Sequence, residues 1–184
     1  MKTQQISPPP LPRLPGRVAL VTGGGSGIGR SAALAYAREG ASVIVAGRRP
    51  AEIEETAAMI VAAGGNALAR VTDVTSGASV AALVDVALQR FGRLDIAFNN
   101  AGTEGRFAPI AELEEGDFDH VIATNLKGVW LSLKFQVQAM VAADNGGSIV
   151  NTASWLAHKA VAGSSAYSAS KGGMDAMILS LIHI

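Results

Sequence analysis

The sequence predicts an α/β fold, a doubly wound parallel sheet in three layers, α/β/α. Two observations carry this. From Arg17 onward, short β-branched runs alternate with longer Ala-rich segments, the pattern of βαβ crossovers over a sheet covered on both faces. A glycine-rich turn, GGSGIG, joins the first strand to the first helix, as nucleotide-binding sheets of the Rossmann type do.

The elements follow in order. RVALVTG reads as a buried strand and IGRSAALAYAREG as a helix closed by Gly40. ASVIVAG is the second strand, and Pro50 opens a helix that runs to Gly64 and Gly65. NALARVTDV forms the third strand, followed by a helix from about Ser76 to Phe91. LDIAFNNAG is the fourth strand, a long helix spans about Asp117 to Ala143, and GSIVNTAS is the fifth strand. The acidic residues Glu112, Glu114, Glu115, Asp117 and Asp119 sit where that long helix starts, a position that favours carboxylates without any metal. No repeat, linker or second domain is visible, so residues 17–184 read as a single domain.

Composition narrows the function. The 184 residues carry fifteen basic and fifteen acidic side chains, so neither nucleic acid nor an anionic membrane is an electrostatically favoured partner. No cysteine is present, and His120, His158 and His183 are scattered, so no metal site is expected. No uncharged apolar run reaches the length of a membrane span. Residues 1–16 hold five of the seven prolines and no apolar stretch of signal type. They read as a disordered, extended tail, and a cytoplasmic location is expected.

The glycine turn is the first chemical clue. Gly23, Gly27 and Gly29 fall at i, i+4 and i+6 between strand and helix. Glycines there allow a tight turn and close approach of a pyrophosphate, which free N–H groups and the helix dipole would hold.

TGGGSGIG at 22–29 resembles the T-G-x-x-x-G-x-G cofactor motif of the short-chain dehydrogenases/reductases, and four further motifs follow in that family's order. NNAG at 99–102 matches the end of its fourth strand, and Asn125 in ATNLKGVW matches its helix asparagine. YSASK at 167–171 is its Y-x-x-x-K, with Ser154 thirteen positions earlier. The resemblance runs from about Arg17 to Ile178. It implies a nicotinamide-dependent oxidoreductase acting on a carbonyl or secondary alcohol, with Asn125, Ser154, Tyr167 and Lys171 as its catalytic set. It also implies cofactor contacts from Gly23, Ser26, Gly27, Ile28, Gly29, Asp73, Val74, Asn99, Ala101, Gly102, Tyr167 and Lys171. A homo-oligomer, tetramer or dimer, is expected of the full-length protein.

Tyr167 and Lys171, four residues apart, share one face of a helix. A tyrosine beside an ammonium is a suitable general acid for carbonyl reduction and base for alcohol oxidation. Ser154 would bond the substrate oxygen, or it caps a helix. Trp155 reads as a pocket wall or a packed aromatic. Arg48, after the second strand, suits a ribose 2′-phosphate. NADP(H) is therefore favoured, with NAD(H) the alternative.

The family would extend beyond Lys171 by several helical turns and two more strands, so the chain reads as C-terminally truncated, lacking the last strands of the fold. Residues 179–184, LSLIHI, are what CTGTCTCTTATACACATC encodes, a transposase adaptor of sequencing libraries, and are expected to be non-native. The rival function is a non-catalytic nucleotide-binding protein or an inactive truncated fragment.

Overall fold

The computed structural model describes residues 11–144 and 146–181. Among the described residues five parallel strands form one sheet: β1 (Val18–Thr22), β2 (Ser42–Gly47), β3 (Asn66–Val71), β4 (Ile96–Asn99) and β5 (Ser148–Asn151). Their order is β3-β2-β1-β4-β5, so the winding reverses between β1 and β4. In open parallel sheets that reversal leaves a crevice at the carboxyl ends of the strands.

β1 is buried throughout, and the central β2 positions are buried on both faces. That explains why they are continuous apolar runs rather than alternating ones. On one face Ala19, Val21, Val43 and Val45 pack with Ala33 of α1 (Gly27–Arg38) and Ile53 and Ile60 of α2 (Pro50–Ala62). On the other, Val18, Leu20 and Ile44 meet Leu83 and Val84 of α3 (Gly77–Phe91) and Ala139 and Met140 of the helix that precedes β5.

The long helix expected over 117–143 is divided. α4 (Glu115–Ile122) passes through a π-helical turn, Ala123–Lys127, into α5 (Gly128–Ala142). The Gly128 N–H donates to the Ala123 carbonyl, one residue further back than in an α-helix. The turn carries Asn125, whose side chain is bonded outside the helix. Glu115 and Asp117 do fall in the first turn of α4. The strand expected over 66–74 ends at Val71, and that over 94–102 is reduced to Ile96–Asn99. The remaining residues leave the ladder to form the crevice rim.

α6 (Ser165–Leu179) packs Met174 against Val129 and Leu133 of α5. Of the terminal stretch expected to be non-native, Leu179 closes α6 and Leu181 packs on that cluster; residues 182–184 lie outside the described residues, as do residues 1–10. Residues 11–16 of the expected tail are docked. The Leu14 N–H donates to the Glu39 carbonyl at 2.8 Å, and Arg13 pairs with the Glu39 carboxylate at 2.9 Å. A Cβ on Gly40 would lie 3.3 Å from Pro12 and Pro15.

Candidate active site

A cleft of about 820 Å³ opens at the carboxyl ends of β1 to β4. Its walls include Gly23, Ser26, Gly27 and Ile28 of the glycine turn, Arg48 after β2, Asp73 and Val74 after β3, and Ala101 and Gly102 after β4. These nine are all residues expected at a dinucleotide.

The glycines divide the labour. Gly23 has φ +65° and its would-be Cβ lies 3.0 Å from Ala101. Gly27 has φ +51°, and nothing stands within 4 Å of the side a Cβ would occupy. Ser26 is the N-cap of α1 but makes no side-chain cap bond, so the first N–H groups of the helix remain for another acceptor. A pyrophosphate fits these features. Gly29 does not line the cleft. A Cβ there would lie 2.1 Å from the Gly23 carbonyl, so its part is to let α1 pack on the turn.

Asn99 turns its side chain away from the cleft. Its amide faces α5, exchanging hydrogen bonds with Gln136 at 2.8 and 2.9 Å and donating to Asn151 at 3.0 Å. Successive side chains along an extended segment point to opposite faces, so the neighbouring Asn100 reaches the cleft instead. Thr22 holds this bend, its Oγ1 accepting the N–H groups of Asn100 and Ala101. The Asp73 carboxylate accepts the Thr75 N–H and hydroxyl, which hold it below its ordinary pKa, with a further pull from Arg48.

Tyr167, Lys171, Ser154 and Asn125 stand outside the walls of this cleft but are wired to it. Lys171 is buried, and its Nζ donates to the Thr152 carbonyl at 2.6 Å. The Thr152 hydroxyl donates to Asn100 at 3.1 Å, a wall residue. Nζ also lies 5.8 Å from the centre of the Tyr167 ring, so the helical pair does share one face. Burial pushes the Lys171 pKa down, and Asp175, one turn further along α6, opposes that. Tyr167 is half-buried beside Phe107, ring centres 6.2 Å apart.

Asn125 is wholly buried. Its Oδ1 accepts the Thr103 N–H and its Nδ2 donates to the Thr103 carbonyl, both at 2.8 Å, and to Ser170 Oγ at 3.1 Å. Ser170 in turn donates to the Tyr167 carbonyl at 2.7 Å. The side chain thus clamps the irregular segment that follows Gly102 to the Tyr/Lys helix. Ser154 caps the short 3-10 turn Trp155–Ala157, accepting the Leu156 N–H at 3.2 Å. Its hydroxyl proton is not used in that bond. Trp155 is 61% exposed against the described residues.

The sequence reading missed Thr22, Thr152 and Asn100. Asn100 stood inside the quoted NNAG motif, whereas Thr152 acts through its backbone carbonyl, which no side-chain pattern reports. No group of three or more metal-ligating side chains occurs among the described residues, and no described helix is long and apolar enough to cross a membrane.

Comparisons with known proteins agree with this geometry. A family model described as short chain dehydrogenase matches residues 17–183. A short chain dehydrogenase/reductase of Aspergillus oryzae is 44% identical over 165 residues, covering 89% of this chain and 63% of that protein. A metagenomic short-chain oxidoreductase solved in complex with NADP superposes with a TM-score of 0.88 at 35% identity, covering 92% of this chain and 76% of that one. A short chain dehydrogenase/reductase of Burkholderia phymatum in complex with NAD gives 0.89 at 33% identity, covering 92% and 60%. The chain spans 59–63% of the length of the first curated relatives it matches.

Proposed function

The chain belongs to the short chain dehydrogenase family, and from that premise we propose that it interconverts a carbonyl and a secondary alcohol at the expense of a nicotinamide cofactor. The observation that supports this most is the buried Lys171, held by Thr152 with its ammonium 5.8 Å from the Tyr167 ring, one side chain away from the cleft wall.

The cofactor, when bound, gives or takes the hydride. On reduction, the Tyr167 hydroxyl hands its proton to the substrate oxygen, and on oxidation it takes that proton back. The Lys171 ammonium stabilises the phenolate left behind, more strongly for being shielded from water. The Ser154 hydroxyl donates to the same substrate oxygen while its lone pair keeps the Leu156 N–H. Asn125 keeps the Tyr/Lys helix fixed against the segment after Gly102, which holds the donor geometry.

Arg48, exposed at the cleft mouth, supports NADP(H) as the favoured cofactor through its fit to a 2′-phosphate. A homo-oligomer belongs to the same reading, with Trp130, 49% exposed on α5 beneath the Lys134 ammonium, as part of the contact. The test is fluorescence binding of NADPH and NADH followed by turnover over a panel of ketones and alcohols. Binding with turnover supports the proposal. Binding without turnover favours a non-catalytic nucleotide-binding protein, and no binding refutes both.

A further inference from the structure

Three arginines flank the part of the cleft where the glycine turn meets the end of β2, and the structure engages them differently. Arg30 is committed: Nε and Nη2 donate to the Gly25 carbonyl at 2.9 and 2.5 Å, and Nη2 also pairs with Glu55 at 2.6 Å. Arg48 is exposed on the cleft wall. Arg49 is folded down: its Nη2 lies 2.6 Å from Glu52 Oε2 and 3.4 Å from Ser26 Oγ.

Glu52 is itself a cleft residue, wedged against the glycine turn, where a Cβ on Gly25 would stand 2.9 Å from Glu52 Cβ. Its Oε2 is shielded from solvent, and the Arg49 contact brings charge to charge without an aligned hydrogen bond. The carboxylate therefore keeps lone pairs for a better-placed donor. It also stands where a 2′-phosphate would bring two further negative charges.

We propose that Glu52 determines cofactor specificity. Its carboxylate holds Arg49 against the glycine turn and competes with a ribose 2′-phosphate for that guanidinium, which narrows the preference for NADP(H) that Arg48 gives the cleft. Ribose hydroxyls can donate to the carboxylate, which serves NAD(H). A phosphate must draw Arg49 away from Glu52 and bear the repulsion of the carboxylate that remains. The inference rests on the dinucleotide reading of the cleft given above.

The test is equilibrium binding of NADPH and NADH to the wild-type chain, Glu52→Gln, Arg49→Gln and the double variant. Glu52→Gln keeps the shape and removes the charge. It is expected to tighten NADPH roughly three- to tenfold at low salt, the gain shrinking as salt rises, because Arg49 is largely exposed. NADH affinity stays level or falls, and in the Arg49→Gln background the NADPH gain shrinks to what relief of the carboxylate's repulsion alone supplies. Glu52→Asp, which shortens the carboxylate without removing it, shifts preference less and in the same direction. An equal change for both cofactors, or an NADPH gain undiminished without Arg49, overturns the inference and leaves the dinucleotide reading standing. Failure of the wild-type chain to bind either cofactor overturns both.

Discussion

Lys171 Nζ donates to the Thr152 carbonyl at 2.6 Å. The bond ties the middle of α6 to the end of β5, and it fixes an ammonium beside Tyr167 with no carboxylate of the described residues in direct contact. Lys171→Met removes both the tether and the charge. Turnover is expected to fall about 10²–10⁴-fold, the range a positioned acid–base system supplies. The fold should survive, since burial disfavours the charged lysine. Lys171→Arg is not expected to rescue activity, because a planar fork replaces a point charge. Steady-state kinetics alongside thermal melting check this.

Asn125 is a buried clamp, so its loss is expected to register first in stability. Asn125→Ala leaves the Thr103 N–H and carbonyl without their partner, at a cost of about 2–4 kcal/mol. Urea denaturation reads the change. A value near zero would mean that the clamp contributes nothing to the fold.

Gly29→Ala places a Cβ against the Gly23 carbonyl, where no room exists. The turn must shift, at about 1–3 kcal/mol. Weaker binding of nicotinamide dinucleotides is expected, since the same turn forms the cleft floor. Gly27→Ala meets no neighbour, and its strain comes from φ +51° instead. Comparing binding and melting for the two variants separates crowding from backbone strain.

Asp95 is expected to set part of the acid limit of stability. Burial pushes its carboxyl up, but Arg93, the Val18 N–H and Arg17 more than offset that and hold it below the usual range. A depressed folded-state value means that the unfolded chain binds more protons between the two values. The contribution is complete above an unfolded pKa of about 3.9 and disappears as pH falls through the folded value. Lys171 also has a lowered value, and its linkage lies at the alkaline end. The unfolded chain binds more protons between the folded value and about 10.4, so stability rises with pH there. Melting curves from acid to alkaline pH test both. Asp95→Asn should flatten only the acid limb, and an unchanged acid slope would contradict the assignment.

Much of this was legible in the residues, and the gaps have physical reasons. Alternating β-branched and Ala-rich segments indicated the parallel sheet because βαβ units bury both sheet faces, and the five strands appear where those runs lie. Strand ends were overextended because Thr72, Asp73, Asn100 and Ala101 adjoin the apolar runs with no glycine or proline between, yet turn away to form the cleft rim. The π-turn at Ala123–Lys127 left no periodic trace, since one extra residue barely disturbs a mostly apolar helix. Asn99 and Asn100 were interchangeable in the motif. Only the direction of each side chain assigns one to Gln136 and the other to the cleft. The docking of residues 11–16 on Glu39 was hidden because proline richness reads as extension whether or not the segment finds a surface.

The central claim is that Tyr167 carries the proton in a nicotinamide-dependent carbonyl–alcohol interconversion. Its most direct test compares wild type with Tyr167→Phe, which keeps the ring beside Phe107 and removes the hydroxyl. One stopped-flow series measures NADPH binding and its oxidation by a ketone substrate. The account predicts that the variant still binds NADPH, weakened by no more than the loss of one hydroxyl contact, while it oxidises it about 10²–10⁴-fold more slowly. Equal oxidation rates in the two proteins would contradict it.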